Sequence, residues 1–409
     1  MASEAPKDMW LIKAQPFLKT PGLVVLLAIA NTIVPLSLDM YTPAIPSMTE
    51  RFSTNASVVN ITLLGFFLFY AIGLLIFGPL SDKTGRKPIL LLGMISYTIG
   101  SVLCALSVSI EMLIFSRLIE ALGAGAITAV STALIKDSFR NEIREKVLAV
   151  LQVIAVIGPV AAPLIGGFIV QHFEWEVTFW VLSVIGLICS VASFFFKETL
   201  DKEDRVSESL LASFTRLKVV ASNKGFSLFL LVAAMINIPF MAYVAVASYI
   251  YMDYFFLDDQ WYGIFFSIAA LGGILGPIIY LQLSKFILVR PLTYLFLGAG
   301  ILVGIAIIIV GPLSPICFCI MFVLMGLIEA ALRPYTTNIL LNQNEKDAGS
   351  ASSLINFVHT ALGCVGMALI TLPWGSYIFG IGILSIVSLG ISFVVLFAIT
   401  KSNITIKYF

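Results

Sequence analysis

Charge is what this sequence has least of. Only 11% of its 409 residues are Asp, Glu, Lys or Arg, against about a quarter in an ordinary soluble domain. The net charge of +1 provides no global field of the kind that gathers nucleic acid. Histidine is nearly absent, with two in the chain. No HExxH or GxSxG pattern occurs, so little supports an intramembrane enzyme. No GxxxxGK[ST] occurs either, which disfavours a nucleotide-driven pump. The five cysteines (Cys104, Cys189, Cys317, Cys319 and Cys364) lie in apolar runs and make no CxxC. Cys317 and Cys319 sit about 200° apart on a helix. All five read as small buried side chains, with no metal site, cofactor or disulfide framework. A secretory signal is also missing: Glu4, Lys7, Asp8, Lys13 and Lys19 precede the first apolar run, and no small-residue cleavage site follows it. That run reads as a retained span.

What the sequence has instead is apolar length. Hydrophobic residues make up 59% of the chain, too many for a soluble protein to cover with polar groups, so lipid is part of its solvent. A membrane helix needs roughly 20 mainly apolar residues, and only helices or closed barrels satisfy the backbone in hydrocarbon. The runs here are too long for barrel strands and lack strict alternation. Twelve helical spans are expected, at 22–44, 58–80, 88–109, 112–135, 147–170, 177–196, 226–252, 261–284, 291–311, 315–341, 348–372 and 374–400. They are numbered span 1 to span 12 below. An even number puts both termini on one face. Of the 24 basic residues, Arg51 alone falls on the opposite face, and Arg117 and Arg333 fall within spans. The positive-inside rule then places both termini in the cytoplasm of a multi-pass protein of the cell membrane.

Residues 197–225 form a charged connection at the midpoint, with an amphipathic surface helix expected over 207–220. The connection separates a six-helix bundle at 1–196 from a second at 226–409. A faint repeat agrees: Leu80-Ser81-Asp82 and Pro88 after span 2 match Leu283-Ser284-Lys285 and Pro291 after span 8, and Lys87 matches Arg290. Internal repeats mark many transporters, with substrate bound where the repeats meet.

Four blocks carry a family resemblance. They are Leu38-Asp39-Met40-Tyr41-Thr42-Pro43-Ala44-Ile45-Pro46, the loop Gly78-Pro79-Leu80-Ser81-Asp82-Lys83-Thr84-Gly85-Arg86-Lys87-Pro88, the span 4 run from Arg117 to Ala126, and Gly158-Pro159, Pro163 and Gly166-Gly167 in span 5. With them the chain resembles the drug:proton antiporters of the major facilitator superfamily, and among these the bicyclomycin-resistance (Bcr/CflA) multidrug efflux group. The resemblance implies an all-α membrane protein of two pseudo-symmetric six-helix bundles that rock around a central cavity, importing protons and exporting drugs or other small lipophilic compounds. The alternatives are a proton-coupled exporter of an amino acid or other metabolite, and a nutrient importer. Expected partners are a small-molecule substrate, protons and membrane lipid, and the chain is expected to act as a monomer. Glu120 departs from the family pattern, which often carries an uncharged residue there.

Charges inside a membrane are costly and usually face a cavity or a partner. Asp39 lies towards the outer end of span 1, at a depth similar to Arg117 in span 4, and Glu120 shares a helix face with Arg117. The three form a candidate proton-coupling cluster in which Arg117 stabilises Asp39 or Glu120; the plainer alternative is a permanent structural ion pair. In the second half, Glu329 and Arg333 stand i,i+4 in span 10, and His359 reaches mid-depth in span 11. They are candidates for a substrate or second proton site, or else for a self-satisfied pair beside a buried histidine. Asn31, Asp39, Asn237 and Tyr243 complete the candidate substrate wall. Gly78, Asp82, Gly85 and Arg86 form a candidate conformational latch, and Gly158, Pro159, Pro163, Gly166 and Gly167 a packing seam that seals the path between bundles.

Overall fold

The computed structural model describes residues 11–13, 15–203, 205, 210–343, 348–402, 404, 406 and 409. Glu4, Lys7, Asp8, Lys346 and Lys407, which entered the sequence argument, lie outside them. Apart from one isolated bridge between Leu11 and Phe139, the described residues form helices and turns. The first six spans run Lys19–Asp39, Ala56–Thr84, Arg86–Ala105, Ile110–Ser138, Asn141–His172 and Glu176–Phe195. After a linker helix at Leu210–Ala221, span 7 begins at Lys224, and spans 8 to 12 run Asp259–Leu283, Val289–Ile309, Pro315–Gln343, Ala348–Ile370 and Tyr377–Lys401.

Local chemistry sets the starts. Asn55, Ser109 and Asp258 accept hydrogen bonds from the backbone N–H three residues on and open spans 2, 4 and 8, and Asn223 does the same for span 7. Each satisfies one of the donors that a helix N-terminus leaves free.

Two spans differ from the uninterrupted helices expected. Span 1 ends at Asp39, five residues early, and continues as a 3-10 turn over Thr42–Ala44 and a short helix over Ile45–Arg51. Pro43 and Pro46 cannot donate to the preceding turn, and both sit at helix starts where no donor is needed. Span 7 breaks into Lys224–Met235 and Ile238–Ser248, then widens into a π-helical turn over Tyr249–Tyr254. Pro239 removes one backbone donor, and the Asn237 side chain at the break donates to the carbonyl of His359 in span 11, at 3.0 Å.

Matching pairs of spans pack in the two halves. Spans 2 and 4, 3 and 6, and 1 and 5 lie together, as do 8 and 10, 9 and 12, and 7 and 11. Each pair of the second half is a first-half pair advanced by six, which is the pseudo-symmetry that the repeat predicts. Spans 3, 6, 9 and 12 present exposed apolar stripes at helical spacing: Leu92, Ile95 and Ile99; Val184, Leu187, Ile188 and Val191; Leu302, Ile305 and Ile309; Val387, Ile391 and Val394. Such surfaces suit hydrocarbon rather than water.

The halves meet through spans 5 and 8 and through spans 2 and 11. Ser267 donates to the carbonyl of Val160 at 2.6 Å, and Ser57 to that of Thr371 at 3.3 Å. A Cβ on Gly263 would stand 2.6 Å from the Pro163 oxygen, and one on Gly167 2.5 Å from the Asp259 oxygen. Both glycines are therefore required by the close approach of backbones. These contacts lie on the face opposite Leu11 and Lys401, which is closed.

Candidate functional site

Arg117 and Glu120 lie one turn apart on span 4, both completely buried. The guanidinium Nη1 donates to Glu120 Oε2 at 2.7 Å. Rings surround the cation: its Cζ lies 4.6 Å from the Tyr41 centroid, 4.3 Å from Phe66 and 5.6 Å from Phe179. Ser101 donates to Glu120 Oε1 at 3.0 Å, and the Cys104 thiol approaches Oε2 at 3.8 Å. Span 3 reaches the carboxylate because Gly100 has no side chain; a Cβ there would stand 2.5 Å from the Glu120 nitrogen. A buried ion pair with aromatic and hydroxyl neighbours resists separation, since either partner left alone would be an uncompensated charge.

Asp39 is elsewhere. It is 9% exposed, and among the described residues its carboxylate has no hydrogen bond or ion pair. The expectation that Arg117 pairs with either acid thus resolves to Glu120 alone in this conformation. Asp39 sits where span 1 breaks, and its carbonyl accepts from Thr42 Oγ1 at 2.9 Å. The same hydroxyl accepts from Tyr262 of span 8, also at 2.9 Å. Asp39 also acts electrostatically on Tyr262. The unpaired acid is therefore adjacent to a contact that joins the two halves.

Span 5 holds this break in place. Pro159 and Pro163 lie within the helix. Gly158 faces Pro35, Gly166 lies directly against the Met40 carbonyl, and Gly167 faces Asp259. One helix thus touches span 1 beside Asp39 and span 8 across the junction.

In the second half, Glu329 and Arg333 stand 3.7 Å apart; the Glu329 side chain is 12% exposed and that of Arg333 53%. Arg333 acts electrostatically on His359 and, across the junction, on Tyr70 of span 2. His359 is buried and neither ring nitrogen has a partner among the described residues; nor has Asn237 Oδ1. Two further members of the expected substrate wall have the following neighbours. Tyr243 is packed in the second-half core, stacked on Phe322 at 4.0 Å and Phe266 at 5.3 Å. Asn31 spends its amide on the Leu27 carbonyl of its own helix, at 2.7 Å.

On the face carrying Leu11 and Lys401, Arg86 ties the loop between spans 2 and 3. It donates to Ser81 Oγ at 2.7 Å, to Asp82, and through Nε to Asp137 Oδ2 at 2.8 Å. Gly85 has φ +110°, a conformation that glycine adopts without penalty. Gly78 has open space around it. Two partners escaped the sequence reading. Asp137 ends span 4, and Glu198 follows span 6, its carboxylate accepting from the backbone nitrogens of Arg86 and Lys87 at 3.0 Å each. A carboxylate at a helix N-terminus is favourable. The only hint in the sequence was two acids at the basic ends of spans.

Comparison with known proteins bears on the family and the fold. The Major Facilitator Superfamily profile matches residues 27–367. The transporter YdgK of Bacillus subtilis is 29% identical over 88% of this chain and 92% of its own length. A bicyclomycin resistance protein homolog of Haemophilus influenzae is 26% identical over 84% and 87%. The multidrug resistance protein MdtL of Escherichia coli is 30% identical over 48% and 53%. Among solved structures, an inward-facing bacterial homolog of the human lysosomal transporter Spinster has a TM-score of 0.71 at 16% identity, covering 93% of this chain and 96% of its own.

Proposed function

Because the chain belongs to the Major Facilitator Superfamily, we propose that it is a secondary transporter that exports drugs or other small lipophilic compounds in exchange for protons. The relatives named for bicyclomycin and multidrug resistance support this substrate class. Residues 1–196 and 226–409 act as the two moving halves, with 197–225 as their tether. Both termini lie in the cytoplasm of a cell-membrane protein, as the basic residues argue, so the closed face is the outer one.

The observation that carries the reading is Asp39. Its carboxylate has no partner among the described residues, it stands at a helix break, and its backbone carbonyl is one hydrogen-bond relay from the junction. When the outer junction opens, the Thr42–Tyr262 contact separates and the surroundings of Asp39 change. Its affinity for a proton then differs between the two conformations, as coupling requires. Arg117 and Glu120 form a paired element that holds spans 3 and 4 and the Tyr41 ring around this break. Arg333, Glu329 and His359 offer polar contacts to substrate from the other half. Asp82, Gly85 and Arg86 act as the cytoplasmic latch, closed through Asp137 and Glu198.

The test is uptake of a cationic dye into inverted vesicles with an acidic lumen. Accumulation that collapses with an uncoupler, and that Asp39→Asn abolishes, supports the reading. Accumulation unchanged by the uncoupler overturns it.

A further inference from the structure

A cavity opens at the outer end of the second half, away from Asp39, Arg117 and Glu120. Its volume is about 420 Å³, within the range that holds small organic ligands. The π-helical turn of span 7 contributes Tyr249, Asp253 and Tyr254, and the connection from span 11 to span 12 contributes Trp374 and Tyr377. The Tyr249 and Tyr377 rings stand 5.9 Å apart. Four aromatic side chains thus share a cavity with one acid, and no basic side chain lines it.

The polar groups of this wall are unevenly satisfied. Trp374 Nε1 donates to the Leu369 carbonyl at 2.9 Å, which fixes the indole. Asp253 has no hydrogen bond or ion pair among the described residues, although it acts electrostatically on both Tyr249 and Tyr377. Tyr249 is 5% exposed, and its hydroxyl has no partner among the described residues. The charge nearest Asp253 in effect is Glu50 of the first half, of the same sign. A cation seated here would meet ring faces, whose quadrupoles attract it, and an uncompensated carboxylate. An anion would meet repulsion from two acids.

We propose that this cavity is an outer binding site for organic monocations that carry an aromatic ring, separate from the central cavity. Its wall is tied to the junction between the halves, because Ser57 of span 2 donates to Thr371, another lining residue. A compound leaving on the outer side is therefore held where opening and closing are decided. The site depends on its own residues and not on the proton coupling proposed above.

The probe is benzyltrimethylammonium, with phenylmethanesulfonate as the anion of similar size. Each is titrated calorimetrically into the full chain in lipid nanodiscs. The cation binds and the anion does not. Asp253→Asn and Trp374→Ala each weaken cation binding about tenfold, with helicity and elution unchanged. Either of two results overturns the proposal: no cation binding by folded wild-type protein, or binding kept at full strength in both Asp253→Asn and Trp374→Ala. The second would place the ligand outside this cavity. Equal binding of the two probes would also overturn it, since the site would then not read charge.

Discussion

Tyr262 of span 8 donates to Thr42 of the first half at 2.9 Å, and Thr42 donates in turn to the Asp39 carbonyl. The backbone of a residue with a buried carboxylate is thus joined to the closure between the halves by two hydrogen bonds, through Thr42 three residues on. When one changes, the other is placed to respond.

Removing that relay should loosen the closed face. A typical intramolecular hydrogen bond contributes about 1 kcal/mol net, so Tyr262→Phe should shift the balance towards the open form about fivefold. Cysteines introduced at Ser57 and Thr371 report closure by cross-linking, and the yield should fall in Tyr262→Phe. An unchanged yield would mean that the glycine seam of spans 5 and 8 holds the face shut unaided.

Asp39→Asn and Glu120→Gln should fail differently. Asn at 39 leaves no broken pair, so the variant should keep its thermal stability and lose substrate-induced proton release and gradient-driven transport. Gln at 120 leaves the Arg117 guanidinium buried among Tyr41, Phe66 and Phe179 without its counter-charge. Breaking a buried pair from one side costs roughly 3–5 kcal/mol, so Glu120→Gln should unfold at a lower temperature in detergent. If Asp39→Asn retains proton release and concentrative transport while Glu120→Gln loses both at normal stability, Glu120 is the coupling acid.

The pair should also be non-additive. Arg117→Leu and Glu120→Leu each strand one charge, whereas the double variant strands none. The double variant should therefore be more stable than either single one, as read by thermal unfolding of the three proteins side by side. A double variant less stable than both would show that Ser101 and the surrounding rings matter through shape rather than through charge.

Gly85→Val should impair cycling while sparing binding. Any side chain is strained at φ +110°, and its Cβ would stand 2.5 Å from Glu198 Oε2 and 2.8 Å from Arg205 Nη2. Transport in vesicles should fall while ligand binding in detergent stays close to wild type, because the loop lies at the opposite end of span 2 from the outer closure. Equal loss of both would assign the loop to folding.

Some of this was legible before any coordinates. Apolar length dictated the spans because a backbone in hydrocarbon has only its own helix to bond with. The glycine at 85 marked its turn by lacking a Cβ, whereas the break before Pro43 and Pro46 was read as a continuous span. The rest depended on neighbours distant in sequence. Arg117 stood within reach of two acids by depth and spacing; in the fold it meets Glu120 of its own helix, which Ser101 of span 3 also contacts, and the Asp39 carboxylate has no partner among the described residues. Tyr243 reads as a cavity residue by its step from Pro239, yet Phe266 and Phe322 from other spans enclose it. Asp137 and Glu198 look like ordinary solvated acids in the sequence and become partners of Arg86 and Lys87 only when the ends of spans 4 and 6 meet on one face. Composition and periodicity determine which segments enter the membrane, since each carries its own solvation energy. Which charge meets which is a property of packing, and packing joins residues that the sequence keeps far apart.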